Sequence, residues 1–352
     1  MDLSIVIVNW NVKDLLRDCL QSLFDSFSSA PDLTTEIIVV DSASADGSVQ
    51  MVREEFLQVH LIAGEENLGY AGGCNQGIKM SETPYVLLLN NDTLMPDNFL
   101  LEMVNAIELD DRIAMVQPKI LSIQNKDHFD YSGGAGGELD IFGYPFARGR
   151  IFDEVEKDDG QYDAIDTNCF WTSGCALLLR KSVTDKIGLL DEDFFAHQEE
   201  IDLNWRAQLA GYRNVVTMKT YIYHYSGYTL RSDNERKMYL NHRNNLIMMI
   251  KNYSIPHLIL FFPIRMLLEL ITVIVDFVFW EGKRSRAALK SLIDVSFHIF
   301  IIFRNRKKIQ RLRKVSDSKI MQNMYKGSIV FEHFLKKKKP SVIITSFRKI
   351  GG

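Results

Sequence analysis

The eight residues Tyr85-Val86-Leu87-Leu88-Leu89-Asn90-Asn91-Asp92 constrain this chain more than any other stretch. An apolar run of that length, entered from Pro84 and left through three polar residues, reads as a strand covered on both faces. Such a strand requires a sheet with layers on both sides. In open α/β sheets, ligands gather just beyond the carboxyl ends of the strands, so Asp92 stands where a ligand binds. A hard cation such as Mg2+ or Mn2+ suits a carboxylate there, with diphosphate oxygens as further ligands. Taken alone, Asn90-Asn91-Asp92 also reads as a plain turn into the next helix.

The preceding residues repeat the pattern. Ser4–Val8 is a buried strand followed by Asn9-Trp10-Asn11, and apolar spacing predicts a helix over 14–27. Glu36–Val40 is a strand ending in Asp41, a helix follows near 49–56, and Val59–Ile62 is a short strand. This alternation predicts a parallel sheet with right-handed crossovers. Asp41 then sits as Asp92 does, where it can accept hydrogen bonds from a nucleobase or ribose, or cap the following helix. The run Asn67-Leu68-Gly69-Tyr70-Ala71-Gly72-Gly73-Cys74-Asn75-Gln76-Gly77 opens a helix. Its glycines admit close backbone approach and its helix start favours anions. No Gly-Lys-Ser/Thr follows, so it is not a P-loop.

Beyond Asp92, residues 99–115 read as a helix and 114–118 as a strand edge. Residues 133–168 read as a long glycine-rich loop lining a pocket, with the acidic run 153–163 as solvated surface. Phe170–Arg180 reads as another core strand, and Glu199, Glu200 and Asp202 surround a helix start, where the dipole favours acids. His224 follows a strand, a position that structural histidines also occupy.

Net charge is −4, but it is unevenly placed: residues 1–230 carry 16 Lys/Arg against 37 Asp/Glu, and residues 231–352 carry 25 against 8. The expected organisation is a catalytic domain over 1–230 and an amphipathic, basic helical region over 231–352. Ile255–Trp280 is apolar but interrupted by Pro256 and Pro263, with Arg265, Glu269, Thr272 and Asp276 on one narrow stripe. It reads as a helix lying in a membrane interface, as does a second one over 287–303, with basic patches at 304–314 and 336–339. Those basic residues lack interleaved aromatics, so no nucleic-acid partner is expected. The four cysteines have no zinc spacing and read as reduced thiols, and the first residues lack the basic start of a signal peptide.

Ser-Ile-Val-Ile-Val-Asn-Trp-Asn, Ile-Val-Val-Asp-Ser-Ala-Ser-Ala-Asp-Gly-Ser, Asn-Leu-Gly-Tyr-Ala-Gly-Gly-Cys-Asn-Gln-Gly and Leu-Leu-Leu-Asn-Asn-Asp, in this order and spacing, resemble the family-two inverting glycosyltransferases of GT-A fold. Within that family the chain is most similar to the bacterial rhamnosyltransferase-like branch of cell-surface polysaccharide synthesis. The resemblance covers about residues 1–230. It implies an α/β catalytic domain with a mostly parallel Rossmann-like sheet, and a donor site built from Val8, Asn9, Asn11, Asp41, Asn67, Gly72, Asn75, Asn91 and Trp171. Asp92 would be the last acid of a DXD-type metal motif whose first acid is replaced by Asn90. His224 would meet a Mg2+ or Mn2+ ion or the diphosphate. The family's Glu-Asp-x-Asp stretch falls on 199–202, which makes Glu200 the general base and Glu199 its runner-up. The donor would be dTDP-L-rhamnose or a UDP-sugar, and the acceptor a polyprenyl-diphosphate-linked saccharide at the cytoplasmic membrane face, with the chain held there as a peripheral or monotopic protein. Two rivals remain: a membrane-bound scaffold without chemistry, and a nucleotidyltransferase, against which the first turn Asn9-Trp10-Asn11-Val12 speaks because it is not basic.

Overall fold

Four strands form the parallel half of the central sheet: β1 (Leu3–Asn9), β2 (Thr35–Asp41), β3 (His60–Ala63) and β4 (Tyr85–Asn90). The order is β3-β2-β1-β4, with α1 (Lys13–Ser26), α2 (Ser48–Glu55) and α3 (Gly69–Met80) as crossovers. In this register Asn9 lies opposite Asp41 and Val8 opposite Asn90, so three polar strand ends share one edge. The computed structural model describes residues 2–226 and 234–348. The expected boundary at 230/231 and Gly227, which follows the His224 segment, lie outside the described residues.

The sheet continues through β5 (Thr93–Leu94), β6 (Ile113–Ser122), β11 (Asn168–Cys169), β12 (Ala176–Arg180) and β13 (Arg213–His224). The full order is β11-β13-β6-β12-β4-β1-β2-β3, with β5 on β13. β6 and β13 run parallel to each other, and β12 is antiparallel to both β4 and β6, so the sheet is parallel-rich, as expected. Its two faces carry separate apolar clusters, one under α1 and α4 (Phe99–Glu108) and one under α3 and α5 (Lys181–Ile187). The helix expected over 99–115 ends at Glu108, because Ile113 already begins β6. Pro118 sits inside β6 rather than at an edge, beside the irregularity in its pairing with β13, where a missing N–H is tolerated.

The expected loop 133–168 contains a four-stranded antiparallel sheet: β7 (Gly137–Leu139), β8 (Pro145–Ala147), β9 (Arg150–Ile151) and β10 (Glu154–Val155). Strands of two or three residues are too short to show an alternation in sequence. This small sheet is cemented by Phe129, Phe146 and Tyr162 and covered by Ile329, Ile343 and Ile344 from the C-terminal part.

The residues after 234 do not stand apart from the rest. Helix α6 (Glu199–Leu209) presents Trp205 to a cluster that includes Leu246, Met248 and Tyr253 around α7 (Glu235–Asn252). Trp205 meets Phe170 and Tyr253 edge to face at 5.4 and 4.8 Å, pairs worth about 0.5–1.5 kcal/mol each beyond burial. Helix α8 (Ile255–Val278) runs through Pro263 unbroken, with Pro256 in its first turn, where the missing N–H costs nothing. The second expected helix is instead two, α9 (Gly282–Phe297) and α10 (Ile299–Arg311), separated at His298.

The polar stripe of α8 faces inward. Arg265 bonds Glu269 and Asn245, and Glu269 also accepts from His242, so these two charges are paired within the protein. The outward face is apolar: Ile259, Leu267, Ile274 and Phe277 are exposed, as are Trp280 and Phe300 nearby. This helix is long and apolar enough to cross a bilayer by length and composition. Part of the basic patch at 304–314 is structural: Arg306 caps the carbonyls of Ile250 and Tyr253, and Arg313 pairs with Asp317.

Candidate active site

The polar ends of β1, β2 and β4 are wired together. Asn91 Nδ2 donates to Asn9 Oδ1 (2.8 Å), and Asn9 Nδ2 donates to Asp41 Oδ2 (2.8 Å). Asp41 Oδ1 accepts from the Ser44 amide, so the buried carboxylate also shapes its own turn. Asn11 adopts φ 54° and accepts from the Ala45 amide. Asn9, Asp41 and Asn91 are thus one connected group, and Asn11 joins it through Ser44, whose Oγ accepts from the Asn11 amide and from Asn9 Nδ2.

Other expected donor residues have different surroundings. Asn75 is buried, with its amide taken up by Leu190 O and Glu192 Oε1. Trp171 is buried and donates its indole N–H to Glu138 O. Both tie segments together, and neither offers a free polar atom. The glycines of α3 lie within the helix and serve packing: a Cβ at Gly73 would meet the Val8 side chain at 2.7 Å, and one at Gly72 would meet Leu68 at 2.7 Å. Asn67 is exposed and accepts from the Gly69 amide at the helix start.

Asp92 and His224 come together across β5 and β13. Asp92 Oδ1 is 3.2 Å from His224 Nε2, yet no hydrogen-bond donor is aligned on this buried oxygen. His224 Nδ1 is 2.9 Å from Asp130 Oδ1, and Ser226 Oγ donates to the same carboxylate. Burial works against a charged imidazole here, but Cys175, Asp92 and Asp130 outweigh it and hold the ring well above the ordinary histidine range. Only the neutral ring ligates a metal, so an ion here would take the place of the Nε2 proton. Without that proton, an orphaned carboxylate oxygen beside an imidazole nitrogen, with the other ring nitrogen on a second carboxylate, fits a divalent cation. Among the described residues no group of three or more such side chains is gathered to hold an ion, so further ligands would come from the bound diphosphate. Asp130 was not foreseen. It lies 94 residues from its partner in a region without periodicity.

Glu199 and Glu200 open α6 as expected. The turn before them is held in an unusual conformation: Phe195, His197 and Gln198 have φ of 63°, 70° and 72°. Non-glycine residues there cost of order 1–3 kcal/mol each unless the surroundings enforce them. Enforcement comes from Asn244 on α7, whose Nδ2 donates to the carbonyls of Phe194, Ala196 and His197 at 2.8–3.0 Å. Gly69 allows the Phe195 carbonyl to approach; any Cβ there would lie 2.4 Å from it. Glu199 is buried and Glu200 half-buried, and each has an enclosed Oε2 without a partner. Burial pushes the Glu200 carboxyl up to about 7. Burial and then the charge of Glu200 push Glu199 further above its ordinary value. Tyr70, which donates to Gly174 O, is raised by burial first and then by Cys74 and Glu199. His197, half-buried, is pushed down to about 4 by burial and then by the charge of Lys237.

Asp202, the third acid of this stretch, has a structural role. It accepts from Arg206 Nε (2.9 Å), Lys251 Nζ (3.0 Å) and Asn252 Nδ2 (2.8 Å), locking α6 to α7.

Known proteins accord with this layout. The profile described as "Glycosyl transferase family 2" matches residues 4–188. The chain is 24% identical over 216 residues to the poly-beta-1,6-N-acetyl-D-glucosamine synthase of Staphylococcus aureus, covering 60% of this chain and 47% of that protein. It therefore spans about half the length of the first curated relatives it matches. It is also 22% identical over 253 residues to the N-acetylglucosaminyl-diphospho-decaprenol L-rhamnosyltransferase of Mycobacterium tuberculosis, covering 67% of this chain and 81% of that one. In fold it resembles the mannosyltransferase PcManGT from Pyrobaculum calidifontis, solved with GDP-Man and Mn2+, with TM-score 0.52, 13% identity and coverage of 91% and 86%. It also resembles GalNAc-T7, solved with UDP, GalNAc and Mn2+, with TM-score 0.56, 15% identity and coverage of 74% and 50%. The architecture is GT-A, and the chain belongs to glycosyl transferase family 2.

Proposed function

We propose that this protein is an inverting glycosyltransferase that moves a sugar from a nucleotide-diphosphate donor to a hydroxyl of a lipid-linked saccharide at a membrane surface. The observation that carries this reading is the half-buried Glu200 carboxyl, pushed up to about 7 beside a strained turn in a sheet whose strand ends also carry Asp92 and His224. A carboxylate titrating near neutrality suits a general base. Glu200 takes the proton of the acceptor hydroxyl as its oxygen bonds to the anomeric carbon. The bond from that carbon to the diphosphate breaks, and its electron pair leaves with the nucleotide. Asn9, Asn11, Asp41 and Asn91 hold the nucleoside end. Asp92 and His224 would hold a Mg2+ or Mn2+ ion, which would supply positive charge against that developing on the departing diphosphate. Asp130 keeps the imidazole turned toward Asp92.

The relative named for decaprenol-linked rhamnosyl transfer supports dTDP-L-rhamnose as donor, with a UDP-sugar as the alternative. Calorimetric titration of the purified chain with UDP and dTDP, each with and without Mn2+, tests the site. Metal-dependent binding of one nucleotide is expected and selects the donor class. Binding of neither would leave the non-catalytic scaffold as the better reading.

The domain assignment we favour keeps 1–230 as the catalytic unit and 231–352 as its membrane-facing region. Support comes from the outward apolar face of α8 and the exposed Arg304, Lys307, Lys308 and Arg311 on α10. Anionic lipid attracts such residues by about 1 kcal/mol each. The double substitution Leu267→Lys/Ile274→Lys should release the chain from anionic vesicles in a flotation assay while nucleotide binding persists. Undiminished flotation would end the membrane reading.

A further inference from the structure

Arg150 on β9 is 8% exposed, and its Nε is enclosed without a hydrogen-bond partner. Every other buried arginine among the described residues has a carboxylate or a pair of carbonyls. Arg148 and Arg348 have Glu138, Arg206 has Asp202, Arg265 has Glu269, and Arg306 has two helix-end carbonyls. The guanidinium of Arg150 has only a 3.4 Å contact to Phe152 O and the ring of Tyr131, 4.4 Å from its centroid. Lys237 Nζ, from the first turn of α7, lies 5.7 Å from the same ring centroid. Two cations thus converge on one half-open aromatic. Asp130, the neighbouring carboxylate, is already engaged by His224, Ser226 and the Ser132 amide. A desolvated guanidinium without an anion is costly, and its fork geometry matches phosphate oxygens.

We propose that Arg150 and Lys237, gathered on Tyr131, bind a phosphate group of the acceptor. The proposal rests on the transferase reading and deepens it. Two sources could supply such an anion: the donor's diphosphate or the acceptor's own phosphate. Arg150 belongs to the small antiparallel sheet, not to β1, β2 or β4, whose ends carry Asn9, Asp41 and Asn91. Tyr131 directly follows Asp130, the residue that grips His224, so the pair of cations borders the reaction centre.

The test uses the full chain saturated with UDP and Mg2+, with inorganic phosphate as probe followed by phosphorus NMR line broadening. Phosphate should bind with UDP in place. Arg150→Gln should weaken phosphate at least tenfold and UDP less than twofold, and Arg150→Lys should recover most of the loss. If Arg150→Gln does not fold, as judged by its melting curve, Lys237→Gln carries the test with at least a threefold loss. Equal phosphate affinity in wild type and variant overturns the proposal. So does displacement of phosphate by UDP, or an equal loss of UDP affinity in Arg150→Gln, since each assigns the cations to the donor. A wild type that binds neither UDP nor dTDP, yet binds phosphate through Arg150, upholds the anion site and removes the transferase reading.

Discussion

Glu200→Gln should lower sugar transfer by roughly 10²–10⁴-fold, the usual range for loss of a general base, and leave nucleotide affinity within about twofold. The amide keeps the shape of the side chain but cannot accept the acceptor's proton. The pH profile provides a sharper check. With the carboxyl pushed up to about 7 by burial, only its ionised form serves as base, so kcat/KM should fall as pH drops below about 7. In the variant this limb should vanish from whatever rate remains. Glu199→Gln should be far milder, because burial and its neighbour's charge already favour the protonated form of Glu199. A large loss in Glu199→Gln together with a small one in Glu200→Gln would exchange the two roles. The variant Glu200→Gln should also resist denaturant better than wild type at pH 8, where the native carboxylate is ionised against the opposition of its burial.

Asp202→Asn should cost about 3–5 kcal/mol of stability, the range for removing one member of a buried ion pair. Arg206 and Lys251, both nearly inaccessible, would then share no anion at this point, and Lys251 would keep only Asp191. Arg206 also pins the carbonyls of Ile187, Gly188 and Leu189, so the damage should spread to the segment before the turn that leads into Glu199 and Glu200. Burial works against the charged Asp202, but Lys251 and Arg206 outweigh it and hold its pKa below the usual range. The stability this contributes is complete above the unfolded carboxyl value and is lost as pH falls through the lower folded one. Urea unfolding at pH 7 measures the effect; a midpoint unchanged from wild type would show that Asp202 does not hold α6 to α7.

The sequence revealed the parallel half of the fold because β1, β2 and β4 are continuous apolar runs with polar residues immediately after. The same feature exposed Asn9, Asp41 and Asp92. Asn75 and Trp171 show the limit of that reading: a polar amide or an indole after a glycine-rich stretch looks the same whether it meets a ligand or ties Leu190 or Glu138 in place. The small sheet escaped notice because its strands have two or three residues. Asp130, Asn244 and Arg150 belong to no motif, and their roles exist only through partners brought close by folding. For α8 the stripe was legible but not its direction, which depends on His242 and Asn245 on the facing helix.

Glu138 imposes an order on biosynthesis. Its carboxylate is fully enclosed and shared by Arg148, ten residues away, and Arg348, 210 residues away. A ribosome adding about 5–20 residues per second therefore delivers the second guanidinium at least ten seconds after the first. The crossover strands can assemble in that interval, whereas the small sheet waits for Ile343, Ile344 and Arg348 to seal it. The half of the molecule that carries Asn9, Asp41 and Asn91 can thus mature on the ribosome, and the half bearing Arg150 is completed only after Arg348 has been made.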